Sequence, residues 1–394
     1  MSKMTLHRSA LNPKRRASRR GHPDCAALLA EPLQQIDRTF VLHRGRKLSY
    51  FAGCDYFRLA THPEVLRAVG EGLDRFGLNV AASRRTTGNH ALYEQLEEQL
   101  ARFFEAEGAV LVSNGYLTNL AVTQALAGEF THAIIDERSH DSLFDAASLL
   151  GCPVLPFEHR QAKAAAQTAR RCGASAKLLL LTDGLFAHSG QVAPLHEHLR
   201  LLPPRATLLV DDAHGAGVLG KTGGGTAQYL GVPTRRFIRT ITLSKALGVY
   251  GGAILGPRRV QRKILARSRL FVGNTPLPLP LAAAALAALA ILRSDTQLRR
   301  RLVFNASYVK AALGQAGCPI NDGPGPIVPL VPRNGREAAR LSKRLLDAGI
   351  HPPFLRYPGG APTGYFRFVI SSEHSPEQLD ALVRVLIAHQ RSFH

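Results

Sequence analysis

The sequence TLLVDDAHGAGVLG occupies residues 207–220, and FIRTITLSKALGVYGG follows at residues 237–252. Each stretch opens with a short apolar run and continues into polar and glycine residues, which is typical of a buried strand that ends in a loop. A third run, LLLLT, leads into Asp183 in the same way. Ligands of an open parallel sheet bind outside the carboxyl ends of its strands. The pattern therefore predicts a ligand site that includes Asp183, Asp211, His214 and Lys245.

Further apolar runs of similar length extend this pattern along the chain. Together with the three above they predict seven strands, at residues 109–112, 133–135, 154–156, 178–182, 207–210, 237–242 and 252–255. Helical patterns lie between several of them, for example in residues 92–104, where leucine recurs every four residues, and in residues 142–150. This alternation predicts an α/β fold with a seven-stranded, mostly parallel sheet and helices on both faces.

The chain after Pro280 changes character. A predicted alanine-rich helix leads into a basic stretch at residues 293–301, and the later elements are less regular: helices at 338–348 and 376–389, a strand at 366–370, and loops at 321–326 and 357–364. We expect three parts: a basic N-terminal arm and lead-in at residues 1–44, a large domain at 45–295, and a small α+β C-terminal domain at 296–394.

The net charge restricts the partners. The 50 Lys and Arg residues exceed the 29 Asp and Glu residues, which gives a formal charge of +21. Such a field attracts anionic substrates, coenzyme A or an acidic carrier protein, and it also attracts nucleic acid. Because the arginines are scattered and no zinc-finger, RRM or KH motif is present, we expect no nucleic-acid partner.

Cysteine usage and hydropathy predict the compartment. The five cysteines are far apart and form no C-x-x-C pair, which argues against a disulfide framework and a zinc site and favours a reducing, cytoplasmic location. The longest apolar run, residues 277–292, is shorter than the ~18 to 20 residues that cross a bilayer and is expected to be a buried helix. The acid-free start of the chain, residues 1 to about 22, favours a disordered basic arm over a targeting peptide.

Lys245 has unusual surroundings for a lysine that follows a strand. Such a lysine is usually solvated, but Thr242, Ser244 and Gly248 offer hydroxyls and a close backbone approach that suit a phosphate. Asp211 and His214 alone could form an ion pair or part of a metal site, although no third ligand accompanies them. Together with Lys245 they supply the groups of a pyridoxal phosphate (PLP) site: an amine for a Schiff base, a carboxylate for the pyridine nitrogen and an imidazole for the phenolic oxygen.

The same two stretches closely resemble the α-oxoamine synthases, a family of fold type I PLP-dependent transferases that includes the 8-amino-7-oxononanoate synthases. Further segments resemble motifs of that family in the same order. They are CDYFRLATHPEV at 54–65, SRRTTGNHALYEQLE at 83–97, DERSHDSLFDAA at 136–147 and SSEHSPEQLDALV at 371–383. The resemblance spans about residues 45 to 390 and rests on several collinear motifs.

The resemblance implies roles for individual residues. It assigns catalysis to Lys245, as the Schiff-base lysine and proton shuttle, and to His140 and His214 beside the ring, with Asp211 on the pyridine nitrogen. It implies that the phosphate is bound by Gly115, Tyr116, Thr242, Ser244 and, across a homodimer interface, Thr275. For the substrates it implies Arg356 as the partner of the amino-acid carboxylate, with Arg367 as the competing candidate, and it places Cys54 and Arg84 nearby.

The sequence departs from the family pattern at several positions. Cys54 stands where the family usually has Asn, Tyr93 where it has His, and FAHSGQ at 186–191 where it has FSMDGD. Other residues have simpler interpretations: Asp212 is expected to be structural, His90 to cap or pack, and the Arg84–Arg85 pair to be solvated if it does not bind substrate.

The resemblance implies a homodimeric acyltransferase that condenses an amino acid with an acyl thioester, either acyl-CoA or an acyl-carrier protein, and releases carbon dioxide. Two alternatives have the same cofactor residues. One is a PLP-dependent aminotransferase or retro-aldol lyase of the same fold, and the other is a binding protein without activity.

Overall fold

The computed structural model describes residues 30–321, 323–356 and 363–392. The predicted basic arm, Cys25 and most of the predicted loop at 357–364 lie outside the described residues.

The first described residues form a small antiparallel sheet, with β1 at Gln34–Gln35, β2 at Phe40–His43 and β3 at Arg46–Ser49. Two helices follow, α1 at Pro63–Phe76 and α2 at Ala91–Phe103. Each begins at a histidine whose imidazole nitrogen accepts a backbone N–H: His62 caps α1 and His90 caps α2.

The central sheet has seven strands, all of which the sequence predicts. They are β4 (Gly108–Val112), β5 (His132–Asp136), β6 (Val154–Phe157), β7 (Leu178–Asp183), β8 (Thr207–Asp211), β9 (Phe237–Thr242) and β10 (Gly252–Gly256). Their order across the sheet is β4-β10-β9-β8-β7-β5-β6. The pairs from β9 to β6 are parallel, whereas β10 runs antiparallel to both β4 and β9. The prediction of a mostly parallel sheet is therefore confirmed.

Helices cover both faces of this sheet, which explains why every residue of β7 and β9 is buried. They are α3 (Gly115–Ala125), α4 (Asp141–Ala147), α5 (Ala162–Arg171), α6 (Leu195–Leu201), α7 (Thr226–Leu230), α8 (Arg258–Arg267), α9 (Arg269–Val272) and α10 (Leu279–Ser294). The alanine-rich α10 is mostly buried, as predicted for residues 277–292.

The chain turns by 75° between α10 and the next helix, α11 (Thr296–Gln315). The turn lies at Asp295, where the predicted C-terminal domain begins. Beyond it, α12 (Gly335–Asp347) and α13 (Pro376–Arg391) pack with an antiparallel sheet of order β11-β13-β12, formed by Ile327–Leu330, Tyr365–Val369 and Phe354–Leu355. Phe51, from the segment after β3, lies in the same apolar core.

Among the described residues, no single helix is both long and apolar enough to cross a bilayer; α10 and α11 meet that criterion only as a pair with the 75° bend between them.

Candidate active site

The carboxyl ends of three neighbouring strands bring the predicted site residues together. β7 ends at Asp183, β8 ends at Asp211, and these two residues are direct neighbours in the sheet. β9, which pairs with β8, ends at Thr242, three residues before Lys245. The convergence predicted from the sequence is therefore present.

Lys245, His214 and Tyr56 form a row of hydrogen-bonded side chains. The Nζ atom of Lys245 lies 2.7 Å from Nε2 of His214, and the hydroxyl of Tyr56 lies 2.7 Å from Nδ1 of the same ring. His214 is 8% exposed and Tyr56 is fully buried. Burial, followed by the charge of Lys245, holds the pKa of His214 well below its ordinary value, and burial also lowers the pKa of Lys245. Such an amine loses its proton more readily than a solvated lysine.

Asp211 is held by groups that donate to its carboxylate. The amide Nδ2 of Asn119 donates to Oδ2 at 2.6 Å, and the backbone N–H of Ala213 donates to Oδ1 at 3.0 Å. Asn119 lies on α3 and is fully buried. Hydrogen bonds to the ionised form stabilise it, so the arrangement suits a carboxylate that pairs with a protonated ring nitrogen. Sequence analysis did not identify Asn119.

Asp183 is a second buried carboxyl group beside Asp211. Its Oδ1 accepts the backbone N–H of His140 at 3.1 Å. Burial first, and the neighbouring charge of Asp211 second, raise the pKa of Asp183 well above its ordinary value. The sequence placed Asp183 at this end of the sheet but gave it no role; here it fixes the backbone that carries His140.

His140 lies at the start of α4. Its Nδ1 accepts the backbone N–H of Ser142 at 3.2 Å and lies 2.8 Å from the Ser142 hydroxyl. The ring meets Tyr116 edge to face, with centroids 6.1 Å apart. The charges of Lys245 and His140 both act to lower the pKa of His214, after burial, as expected of side chains that lie near one another.

A cradle for an anion lies between the start of α3 and the end of β9. The first amides of a helix lack intrahelical acceptors and bind anions; here they belong to Gly115 and Tyr116, while Asn114 caps Leu117. A Cβ atom at Gly115 would lie 2.7 Å from Cβ of Thr242, so only glycine fits this close approach. The hydroxyls of Thr242 and Ser244 are 2.7 Å apart. Tyr116 itself is turned outward, with its hydroxyl on Asp145.

Thr275 is not hydrogen-bonded to this cradle among the described residues. It is exposed on the segment between α9 and α10, whose neighbouring Asn274 donates to the hydroxyl of Ser113 at 2.9 Å. Ser113 directly precedes the residue that caps α3, so the segment lies close to the anion cradle of its own subunit while Thr275 itself remains exposed.

The three predicted substrate residues have different surroundings. Cys54 is partly buried beside Tyr56 and close enough to Lys245 to affect its pKa. Arg356 is exposed, with its guanidinium 5.4 Å from the centroid of the Phe354 ring. Arg367, the competing candidate, is half-buried on β13, and its charge lowers the pKa values of Lys245 and His214.

Arg84 forms a buried ion pair. Its NH1 and NH2 atoms contact the carboxylate of Glu97, whose Oε1 also accepts the backbone N–H of Leu111 at 2.8 Å. With its side chain 9% exposed, Arg84 is not the solvated residue that the sequence allowed, because Glu97 neutralises it inside the protein. Arg85 is exposed.

Asp212, which the sequence predicts to be structural, and Tyr93, which departs from the family pattern, both have structural contacts. Asp212 accepts the backbone N–H and the hydroxyl of Thr226 at 2.9 and 2.6 Å, and burial raises its pKa to about 6. Tyr93, where the family usually has His, is fully buried and donates to the backbone oxygen of Leu277 at 2.6 Å. Neither side chain is directed at the row of Lys245 and His214.

The residues present fit PLP. The start of α3 at Gly115 is suited to a phosphate, the Asp211 carboxylate is held as an acceptor, and the amine of Lys245 lies beside the imidazole of His214. Ser139, next to His140, has a buried hydroxyl without a hydrogen-bond partner among the described residues, as expected at a polar site that a ligand completes.

Comparisons with known proteins agree with this fit. A family model described as aminotransferase class I and II matches residues 54–386. The chain is 37% identical to 8-amino-7-oxononanoate synthase from Thioalkalivibrio sulfidiphilus, over 87% of this chain and 88% of the relative. It is 36% identical to 8-amino-7-oxononanoate synthase from Methylococcus capsulatus, over 85% and 87% of the two chains.

Solved structures are similar over almost the whole chain. Serine palmitoyltransferase from Sphingomonas wittichii has a TM-score of 0.85 and 25% identity, over 93% of this chain and 94% of that one. A high-resolution structure of SPT with a PLP internal aldimine has a TM-score of 0.85 and 26% identity, over 91% of both chains. A crystal structure of 8-amino-7-oxononanoate synthase from Francisella tularensis, at 24% identity and a TM-score of 0.75 over 88% and 98% of the two chains, shares the fold.

Proposed function

The chain belongs to the aminotransferase class I and II family and, within it, to the PLP-dependent α-oxoamine synthases; we propose that it condenses an amino acid with an acyl thioester at Lys245. The observation that carries this assignment is the part-buried 2.7 Å contact between Lys245 and His214, at the sheet edge where β8 ends at Asp211. No other lysine of the described chain lies at the carboxyl ends of β7, β8 and β9.

PLP, when bound, supplies a protonated pyridine ring that withdraws electrons from the α-carbon of the amino acid. Asp211 keeps the ring nitrogen protonated, because its carboxylate accepts hydrogen bonds and carries the opposite charge. Gly115, Tyr116, Thr242 and Ser244 would bind the phosphate, and His140 would pack against the pyridine ring. These residues orient the cofactor and do not themselves react.

Lys245 would hold the cofactor through its amine and, once the amino acid had taken its place there, would act as the base for the α-proton. Burial lowers the pKa of this amine, which leaves more of it in the basic form at neutral pH. The net reaction would join the α-carbon of the amino acid to the thioester carbonyl and release the thiol and carbon dioxide, and Lys245 would return a proton to the α-carbon.

The amino-acid carboxylate has two candidate partners. The resemblance assigns it to Arg356, whereas the half-buried position of Arg367 and the effect of its charge on the pKa values of Lys245 and His214 favour Arg367. A guanidinium binds a carboxylate through two hydrogen bonds, so its loss raises the KM for the amino acid. Comparison of Arg356→Gln with Arg367→Gln decides between them: the variant with the larger increase in KM identifies the partner.

The net charge of the chain supports an anionic acyl donor, and the exposure of Thr275 supports a homodimer. A formal charge of +21 favours an anionic donor, acyl-CoA or an acyl-carrier protein. The exposure of Thr275 supports a homodimer in which this residue reaches the phosphate at the partner's site. The four described cysteines are unpaired, which supports the cytoplasmic location.

The proposed reaction is tested by incubating the enzyme and PLP with pooled amino acids and a panel of acyl thioesters. We expect thiol release that requires one amino acid, and a product whose mass equals the two substrates minus the thiol and carbon dioxide. Lys245→Ala, as the control, should give neither. Formation of pyridoxamine phosphate without thiol release would indicate an aminotransferase, and formation of glycine and an aldehyde would indicate a retro-aldol lyase; either result rejects the proposal.

A further inference from the structure

Both ring nitrogens of His214 have a partner: the fully buried Tyr56 and the partly buried Lys245. Tyr56 lies 2.7 Å from Nδ1, and Lys245 lies 2.7 Å from Nε2. A neutral imidazole carries a proton on only one of its two nitrogens. When one nitrogen accepts a hydrogen bond, the proton lies on the other nitrogen. The residue that faces Nδ1 therefore determines whether Nε2 of His214 presents a proton or a lone pair to Lys245.

We infer that Tyr56 is a positioning residue that donates its hydroxyl proton to Nδ1 of His214 and thereby places the imidazole proton on Nε2, toward Lys245. The inference rests on the proposed function, since it concerns the same site. Tyr56 lies in the motif CDYFRLATHPEV, but the sequence alone gives it no role.

The alternatives for the Tyr56 proton are few. The thiol of Cys54 is close enough to affect the pKa of Tyr56, but a sulfur atom is a much weaker acceptor than the imidazole nitrogen that lies 2.7 Å from the hydroxyl. Tyr56 is fully buried, and burial raises its pKa well above the ordinary value, so the phenol keeps a proton to donate. The hydroxyl therefore donates to Nδ1.

The rest of the row is consistent with this direction. Burial lowers the pKa of the His214 imidazole well below its ordinary value, and the charge of Arg367 acts in the same direction, which favours the neutral ring. An Nε2–H group requires an acceptor, and Lys245, whose pKa burial lowers, provides the lone pair of its amine. With Lys245 as the acceptor, each of the two 2.7 Å hydrogen bonds of the row has one donor and one acceptor.

This direction has a consequence for the cofactor. Once Lys245 uses its lone pair to bind PLP, the proton on Nε2 has no acceptor within the row. His214 can then donate it to the phenolic oxygen, the role that the sequence predicts for this histidine. With the opposite tautomer, Nε2 could only accept a hydrogen bond, and its lone pair would repel a negatively charged phenolic oxygen.

The test uses the full-length protein labelled with 15N-histidine, because long-range 1H–15N spectra distinguish a protonated ring nitrogen from one with a lone pair. The His214 signals are assigned by their loss in His214→Gln. We compare the wild type with Tyr56→Phe and with Tyr93→Phe. Tyr93 is a matched control, since it is also fully buried but its hydroxyl donates to the Leu277 oxygen.

We expect the wild type to carry the proton on Nε2. In Tyr56→Phe the ratio of the Nε2–H to the Nδ1–H form should fall about fivefold, the equivalent of about 1 kcal/mol for one hydrogen bond, while Tyr93→Phe should retain the wild-type ratio. A proton on Nδ1 in the wild type, or an unchanged ratio in Tyr56→Phe, would overturn the inference.

A second readout separates this inference from the proposed function. When PLP is added, its visible absorbance should change in Tyr56→Phe and not in Tyr93→Phe, because the donor to the phenolic oxygen is altered in the first variant alone. A wild type that shows the Nε2–H form but does not bind PLP at Lys245 would reject the proposed function and leave the tautomer assignment intact. PLP bound at Lys245 beside an imidazole that carries its proton on Nδ1 would reject the tautomer assignment and leave the proposed function intact.

Discussion

Asn119 holds Asp211 from inside the protein: its Nδ2 atom lies 2.6 Å from Oδ2 of the carboxylate. The same amide nitrogen donates to the hydroxyl of Ser142 at 2.9 Å, and the amide oxygen accepts the hydroxyl of Thr240 at 2.7 Å. One side chain therefore connects α3 and α4 with β8 and β9. A substitution of Asn119 should therefore alter the position and hydrogen bonding of Asp211, the residue that we assign to the pyridine nitrogen.

Asn119→Ala should weaken PLP binding about tenfold and lower stability. The substitution leaves buried partners, including Asp211 and Thr240, without a hydrogen bond, and each such loss costs about 1–3 kcal/mol. Cofactor titration and urea denaturation measure the two effects. Asn305→Ala is the control, because Asn305 is a buried asparagine of α11 that donates to the backbone oxygens of Ser371 and His374. It should lose stability but bind PLP as the wild type does, and equal losses of affinity in both variants would contradict the role of Asn119.

Gly115→Ala should also weaken PLP binding, by about tenfold, because the new methyl group would lie 2.7 Å from Cβ of Thr242 and close the phosphate cradle. Gly314→Ala provides the comparison. Gly314 is an exposed glycine near the end of α11, where a new methyl group would have no other atom within 4 Å, and alanine there should stabilise the helix by about 0.5–1 kcal/mol. If PLP affinity is unchanged in Gly115→Ala, the phosphate binds elsewhere.

The framework of the site could be predicted from the sequence because its signals are local. Runs such as LLLLTD in β7 are apolar throughout and end at a polar residue, which marks both a buried strand and its carboxyl end. The antiparallel direction of β10 has no such signal, since a buried strand has the same composition in either direction.

The residues that support the site could not be predicted, because their contacts join distant parts of the chain. Asn119 resembles any polar residue of a helix until α3 packs against β8, and Tyr56 is 158 residues from His214. Arg84 illustrates the same limit. From the sequence, we expect Arg84 and Arg85 to be solvated or to bind substrate, whereas the structure pairs Arg84 with Glu97 of α2.

Thr275→Ala should lower PLP affinity about tenfold if its hydroxyl reaches the phosphate at the partner's site, since a hydrogen bond to a charged group contributes about 1.5–3 kcal/mol. Mixing this variant with Lys245→Ala tests the direction of the contact. A dimer with one chain of each kind has one site in which both residues are intact, so at limiting PLP the mixture should be more active than either variant alone. An active monomer in sedimentation, or no gain on mixing, would show that the site is not shared.

Stability should fall as the pH decreases from about 6.5 to about 4, in part because of His198. This side chain on α6 is fully buried, neither ring nitrogen has a partner among the described residues, and burial lowers its pKa from 6.5 to about 4. The unfolded chain therefore binds more protons than the folded one within this window, which lowers the free energy of unfolding by about 3 kcal/mol at most. His198→Leu should reduce the slope in urea denaturation between pH 7 and pH 4, whereas the exposed His196→Leu on the same helix should not. Equal slopes in the wild type and His198→Leu would contradict this account.

The central claim, that Lys245 holds the cofactor, is tested most directly by reducing the full-length enzyme and PLP with borohydride and mapping the modified peptide by mass spectrometry. The buried contact with His214 and the lowered pKa of the amine predict a single pyridoxyl group on Lys245, and none in Lys245→Ala. A pyridoxyl group on a different lysine of the wild type, or no modification under conditions in which PLP is in excess, would contradict the assignment.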